Sequence, residues 1–412
     1  MSRLARALIA ATSAATLTSA ASFAEPTDRV EIDQSASGAV TATDDQTAGG
    51  VEVATQTGLA QANSATGEAN VWTALRAGQA LDGTVLSANA LDADEVWSYA
   101  ISNATAQGNA LTAGANAELE SQIRQTTSGG SAVGALSALR IGTYAGHTVQ
   151  GASAASNAVQ TSGYGDQSLV LDQVSDGDTA SLASLDASDA EIETVAQGAA
   201  AAGNSLTASG FGGSVIADAV QTNSGDVSAE TAATVRDAEY GVVSTSGASG
   251  NTIRLTADDA YAHAQGSQTN RGAVRATTRL NVGDFGEGLV AGAATATGNA
   301  SLVSGIGADV YSGVVQDNAG PVTARVDFAG GAIGSGVGGA GAALSASAIG
   351  NAQSAYLCSE CPVSLTAEVN QTNSGPVSAS VTGTSFAPAG ALTSSATAVG
   401  NAATFQGRRP GE

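Results

Sequence analysis

The chain has 412 residues, a formal net charge of −23 and charged side chains at only 12% of its positions. Six Phe, seven Tyr and two Trp cannot fill several large globular cores, and the fourteen basic residues, all arginine, form no patch for nucleic-acid phosphates. Only six prolines and recurrent β-branched residues set it apart from a disordered polar chain, so the expectation is a narrow interior filled by Ala, Val, Leu and Ile.

The first 24 residues read as a secretory signal peptide. Arg3 and Arg6 form the basic end, Ala7 to Leu17 the apolar stretch, and Ser22-Phe23-Ala24 a small-x-small cleavage site. Cleavage there leaves 388 residues carrying 12 Arg against 37 acids, a charge of −25. No later run has the roughly 18 apolar residues of a membrane helix. The tail, 407–412, does not read as the closing strand of an outer-membrane barrel.

From residue 25 to 406 the chain is a repeat of about 47 residues in two halves. The first half is Gln-Thr-Asn-Ser-Gly-x-Val-Ser-Ala. Its clear copies carry Gln221, Asn223 and Gly225; Gln268, Asn270 and Gly272; Gln316, Asn318 and Gly320; and Gln371, Asn373 and Gly375. Worn copies begin at Gln34, Gln79, Gln125 and Gln173, and the eight motif glycines are spaced 45, 46, 48, 48, 47, 48 and 55 residues apart. The second half ends in Gly-Asn, at Gly108-Asn109, Gly203-Asn204, Gly250-Asn251, Gly298-Asn299, Gly350-Asn351 and Gly400-Asn401, with Asn157 holding the missing place.

Within one repeat, Asn223-Ser224-Gly225-Asp226 is a turn cluster. The alternating stretches Val227–Val235, Gly241–Thr245 and Thr252–Ala257 read as half-buried strands. Ser249-Gly250-Asn251 reads as a second turn, with glycine supplying positive φ and asparagine the next most tolerant residue. Stacked Asn and Gln amides are expected to bond along the array, as in cross-β ladders. The turns lie 26 and 21 residues apart, so each half is assigned one coil. The predicted fold is therefore all-β, an elongated β-solenoid of about eight two-coil repeats. At about 4.8 Å per coil it forms a rod of roughly 75–80 Å.

Two insertions break the period. The glycine-rich stretch 329–341 lacks the regular Asp of calcium-binding repeats and reads as a loop or flattened coil. The segment 357–362 holds Cys358 and Cys361, a CxxC whose readings are a redox pair, half a zinc site or a small disulfide loop. Export favours a disulfide pinning an inserted turn, and the histidines, His147 and His263, lie in distant repeats.

Acidic clusters at Asp44-Asp45, Asp92 with Asp94 and Glu95, Asp258-Asp259, and Asp284 with Glu287 read as solvated turns. No concentrated acid, base and aromatic site for a sugar substrate stands out. No nucleophile elbow, zinc-protease or phosphate-loop motif is present either, so no enzyme, cofactor or metal is expected.

The signal peptide, the Gln-Thr-Asn-Ser-Gly-x-Val-Ser-Ala and Ala-x-Gly-Asn-Ala motifs, and the CxxC after Gly350-Asn351 together resemble the holdfast-anchoring D proteins of stalked alphaproteobacteria. The resemblance is strongest from Gln221 onward. It implies an outer-membrane-associated cell-surface adhesin that tethers an adhesive polysaccharide. A curlin-like protein and a curli-type secretion pore are its implied partners. Two other functions are weighed against this anchor. A functional-amyloid fibre subunit would give thioflavin-positive, detergent-resistant fibres, although a curlin unit is half this repeat and more uniform. A β-helical polysaccharide-active enzyme would turn over a glycan.

Overall fold

The computed structural model describes residues 28–285, 288–331, 341–358, 363–385 and 391–408. The expected signal peptide, most of the glycine-rich insertion, and Cys361 lie outside these residues. The described chain is all-β, with parallel sheets of stacked strands and no helix or closed barrel. Through the fifth rung a strand of about nine residues, such as Val215–Asn223, is followed by a long bent strand, such as Val227–Asp258; in later rungs the long strand is divided, as at Val274–Asp284 and Leu289–Ile306. Short strands stack on short strands and long on long, following chain order within each sheet.

The pairing register sets the size of one coil. Asp28 pairs with Thr73, Val227 with Val274 and Asn251 with Asn299, so every partner is a whole repeat away. One 47-residue repeat therefore makes one rung, not the two coils expected. The two halves of the repeat face each other across the core instead of stacking. In the third rung the Gln125 amide donates to the Ala158 carbonyl and that of Gln150 to the Ser137 carbonyl. The chain thus runs out along one side of a flat rung, bends near residues 142–146, and returns along the other. Eight rungs at about 4.8 Å give a stack roughly 35–40 Å long, half the expected rod.

Alternation explains the rung. In Val215–Asn223 every second side chain is buried, as befits a strand with one face on a core and one in solvent. Two apolar lobes result. One gathers Leu75, Leu119, Leu169, Leu206 and Leu255 between the short strands and the end of the return. The other gathers Leu91, Leu139, Leu185, Leu280 and Phe328 near the far bend. Leu206 and Leu255 are fully buried, and truncating either to alanine costs about 2–5 kcal/mol. Between the lobes, a smaller apolar cluster around Leu81, Val85 and Val133 serves the early rungs. In later rungs asparagines occupy the short-strand position that Leu81 holds there.

Candidate functional site

The repeated amides are a spine, buried and bonded to one another. Gln221 donates to Gln173, Gln268 to Gln221, and Gln316 to Gln268, each at 2.8 Å, and Gln371 donates to Gln316 at 2.7 Å. Each also donates to a carbonyl across the rung; for Gln268 this is Ala300 at 2.9 Å. A second ladder runs the opposite way, with each amide donating to the next rung. Asn109 gives to Asn157, Asn204 to Asn251, Asn251 to Asn299, Asn299 to Asn351, and Asn351 to Asn401. A third joins Asn223 to Asn270, Asn318 and Asn373. Gln221, Gln268, Asn251 and Asn270 have no exposed surface. Inside the ladders, stacking satisfies both ends of each amide, which is what makes so polar an interior affordable; the Asn223 oxygen, at the start of the third ladder, is buried without a partner.

The motif glycines have a different role from the one expected. Among the described residues, left-handed backbone occurs at Gly212, Gly241, Gly266, Gly307 and Asp259, and at no motif glycine. A Cβ on Gly225, Gly272, Gly320 or Gly375 would instead strike the carbonyl oxygen of the motif glycine one rung earlier. On Gly203, Gly250, Gly298 or Gly350 it would strike the amide of Asn223, Asn270, Asn318 or Asn373. Gly400, in the last rung, meets only looser contacts with Asn373, and Gly108 is pressed by the Ser156 carbonyl and Leu81. The Gly-Asn pairs sit inside continuous strands, opposite the Asn-Ser-Gly bends, so they mark the middle of the rung. Close stacking demands these glycines.

The true bends lie at the two edges of the flat stack. Gly341, which follows the glycine-rich insertion in sequence, pairs with Leu289 at the edge where earlier rungs bend at 94–98 and 142–146. The other edge holds Cys358. Cys358 is exposed there, and the expected disulfide rests on Cys361, which lies outside the described residues. Of the acidic clusters, Asp92 forms an exposed ion pair with Arg140 one rung on, at 3.2 Å. Such a pair contributes little in water.

The far edge carries a group that motif reading missed. Trp97, Tyr99 and Tyr240 are 62, 45 and 61% exposed. The Tyr99 ring lies 5.0 Å from the His147 imidazole one rung on. Tyr144 donates to the Glu193 carboxylate at 2.7 Å, which also lies 3.7 Å from His147 Nε2. That bond pushes the Tyr144 phenol up to about 12, and Glu239 holds the Tyr240 phenol up in the same way. Trp97 donates its indole N–H to Glu95 at 3.1 Å. Strand irregularities gather here, between Ala93 and Glu95, Val96 and Tyr99, Arg140 and Tyr144, and Ala238 and Gly241. Bulges turn side chains outward that a regular strand would bury. Gly146 lets its rung pass beneath, since a Cβ there would meet the Trp97 and Ser98 carbonyl oxygens. The signal for this group is positional: Tyr99, His147 and Thr194 share one column, 48 and 47 residues apart.

Comparison with known proteins gives one family. The family model described as holdfast attachment protein D matches residues 50–321, about two thirds of the chain, and the chain belongs to that family. No curated protein and no solved structure matches it.

Proposed function

We propose that this protein acts in holdfast attachment as a non-catalytic tether, holding the adhesive polysaccharide to the outer envelope of the cell. It reaches that surface by the export its N-terminal segment encodes. There it works with the curlin-like protein and curli-type pore that the resemblance implies. The observation that supports a tether most directly is the triple amide ladder. The side chains the repeat keeps are consumed in holding rung to rung, so the repeat builds a stiff, long-lived support rather than a reaction centre. Parallel in-register strands bonded along the stack transmit load through many backbone bonds at once, which suits an anchor under shear.

A strain lacking this gene tests the proposal when the adhesive polysaccharide is located separately from the cells. Cells that make the polymer but shed it into the medium support the tether. Normal attachment, or loss of the polymer itself, overturns it.

A further inference from the structure

The far edge holds a combination that the spine does not explain. Trp97, Tyr144, Glu193 and Tyr240 come from four successive rungs and span about 14 Å along the stack. Trp97 and Tyr240 stand largely in solvent, where burial gives no reason for them, and Tyr99, packed on His147, is also exposed. Carboxylates stand among them: Glu95 under Trp97, Glu193 between Tyr144 and His147, and Glu239 beside Tyr240. The arginines nearest this edge are engaged at its margin: Arg140 pairs with Asp92 and Arg236 donates to the Asp189 carbonyl. The edge is therefore a row of aromatic platforms among carboxylates, Glu95, Glu191, Glu193 and Glu239, that outnumber the nearby arginines.

Aromatic faces attract the C–H face of a sugar ring and also a cation. Carboxylates beside them select a cation over a neutral group. A protein ligand is disfavoured by the backbone here, because the edge is the bend of paired strands and presents no unpaired strand for a peptide to extend.

Building on the tether reading above, we infer that this edge is the polysaccharide-binding site, and that it takes a glycan bearing free amines laid along the stack. Sugar rings rest on Trp97, Tyr99 and Tyr240, and the ammonium groups meet Glu95, Glu193 and Glu239. Tyr144 and His147 hold the Glu193 carboxylate in place.

Calorimetric titration of the full mature chain with a β-1,4-glucosamine oligomer, and with the same oligomer N-acetylated, tests the inference. The free-amine oligomer should bind tighter, and added salt should weaken it. Trp97→Ala with Tyr240→Ala should cost at least about tenfold in affinity, with the unfolding midpoint unchanged. Glu193→Gln should reduce the preference for the amine. Equal affinity for both oligomers, or undiminished affinity in the double variant, overturns the inference. A lysine oligomer that displaces the glycan and itself loses affinity in the double variant would reassign the edge to a basic protein. In cells, a deletion strain that sheds polymer while the double variant retains it would sink this site and leave the tether standing. Retention in the deletion strain would sink the tether itself.

Discussion

The Oδ1 atom of Asn270 lies 2.5 Å from the point where a Cβ on Gly250 would stand. The two halves of the repeat, distant in sequence, are thus one packing device. An asparagine on the short strand fills the space that a glycine on the returning strand leaves open. Gly298 and Asn318 repeat the relationship at the same distance. Where the glycine gives way to Ser156, the matching short-strand position holds Ser175 in place of asparagine.

Gly250→Ser should therefore destabilise the chain by about 1–3 kcal/mol, the usual cost of overfilling a packed interior. Asn270→Ser alone breaks the ladder bonds to Asn223 and Asn318, and it should cost less in the Gly250→Ser background than in the native chain, because it opens the space the new serine needs. Denaturant unfolding of the two single variants and the double variant measures the coupling. Strict additivity would mean that the two residues do not share the space.

The glutamine ladder makes a graded expectation. Gln268→Leu removes an amide with no exposed surface and leaves the Gln221 oxygen and one Gln316 N–H without their partners. Each orphaned group costs about 1–3 kcal/mol, so a loss of about 2–4 kcal/mol is expected. Gln371 stands in the last described rung, is half-buried, and has one ladder bond, to Gln316. Gln371→Leu should cost clearly less. Equal losses at the two sites would show that the ladder adds nothing beyond local packing.

The period of the fold was legible because parallel register equals repeat length: Gln268 stands on Gln221 and Asn299 on Asn251 because like residues recur at that spacing. The number of coils per repeat was not legible from spacing. Two stacked half-coils and one folded rung give the same period, and only their pairing differs. Stacked half-coils would have set Gln-Thr-Asn against Gly-Asn, two unlike sequences, whereas the ladders need like on like. The amide stacking was foreseeable from Asn and Gln chemistry. The edge aromatics were not, because bulges shift Tyr99, Tyr144 and Tyr240 off the motif's spacing, and scattered aromatics carry no motif.

Tyr144 and Glu193 give a pH signature. The neutral phenol donates to the carboxylate, and ionising it would set two negative charges against each other, so its value rises to about 12. A raised acid contributes stability that is fully present below its unfolded value, near 10, and is lost as pH rises through about 12. Glu193→Gln should return the phenol toward its ordinary range. Difference titration of phenolate absorbance against Tyr144→Phe isolates this one group. An unmoved titration would remove the hydrogen bond from the account.

The column Glu191, Asp237 and Asp284 stacks three carboxylates in consecutive rungs. Register forces this proximity, since each rung places the same position directly over the last, and like charges opposed across neighbouring strands repel. Burial, then Asp284 and then Glu191, raise the Asp237 carboxyl above its ordinary value, with Arg236 opposing. The fold thus favours the protonated form of Asp237, so this residue contributes more stability at low pH and less as pH rises through the carboxylate range. Asp237→Asn keeps the shape and removes the charge. It should raise the thermal midpoint near neutral pH, and the gain should shrink in acid, as the native carboxyl takes up its proton. A gain that persisted undiminished in acid would point to the amide's own hydrogen bonds instead of relieved repulsion. A loss at neutral pH would mean that the Asp237 charge is held favourably by Arg236 after all.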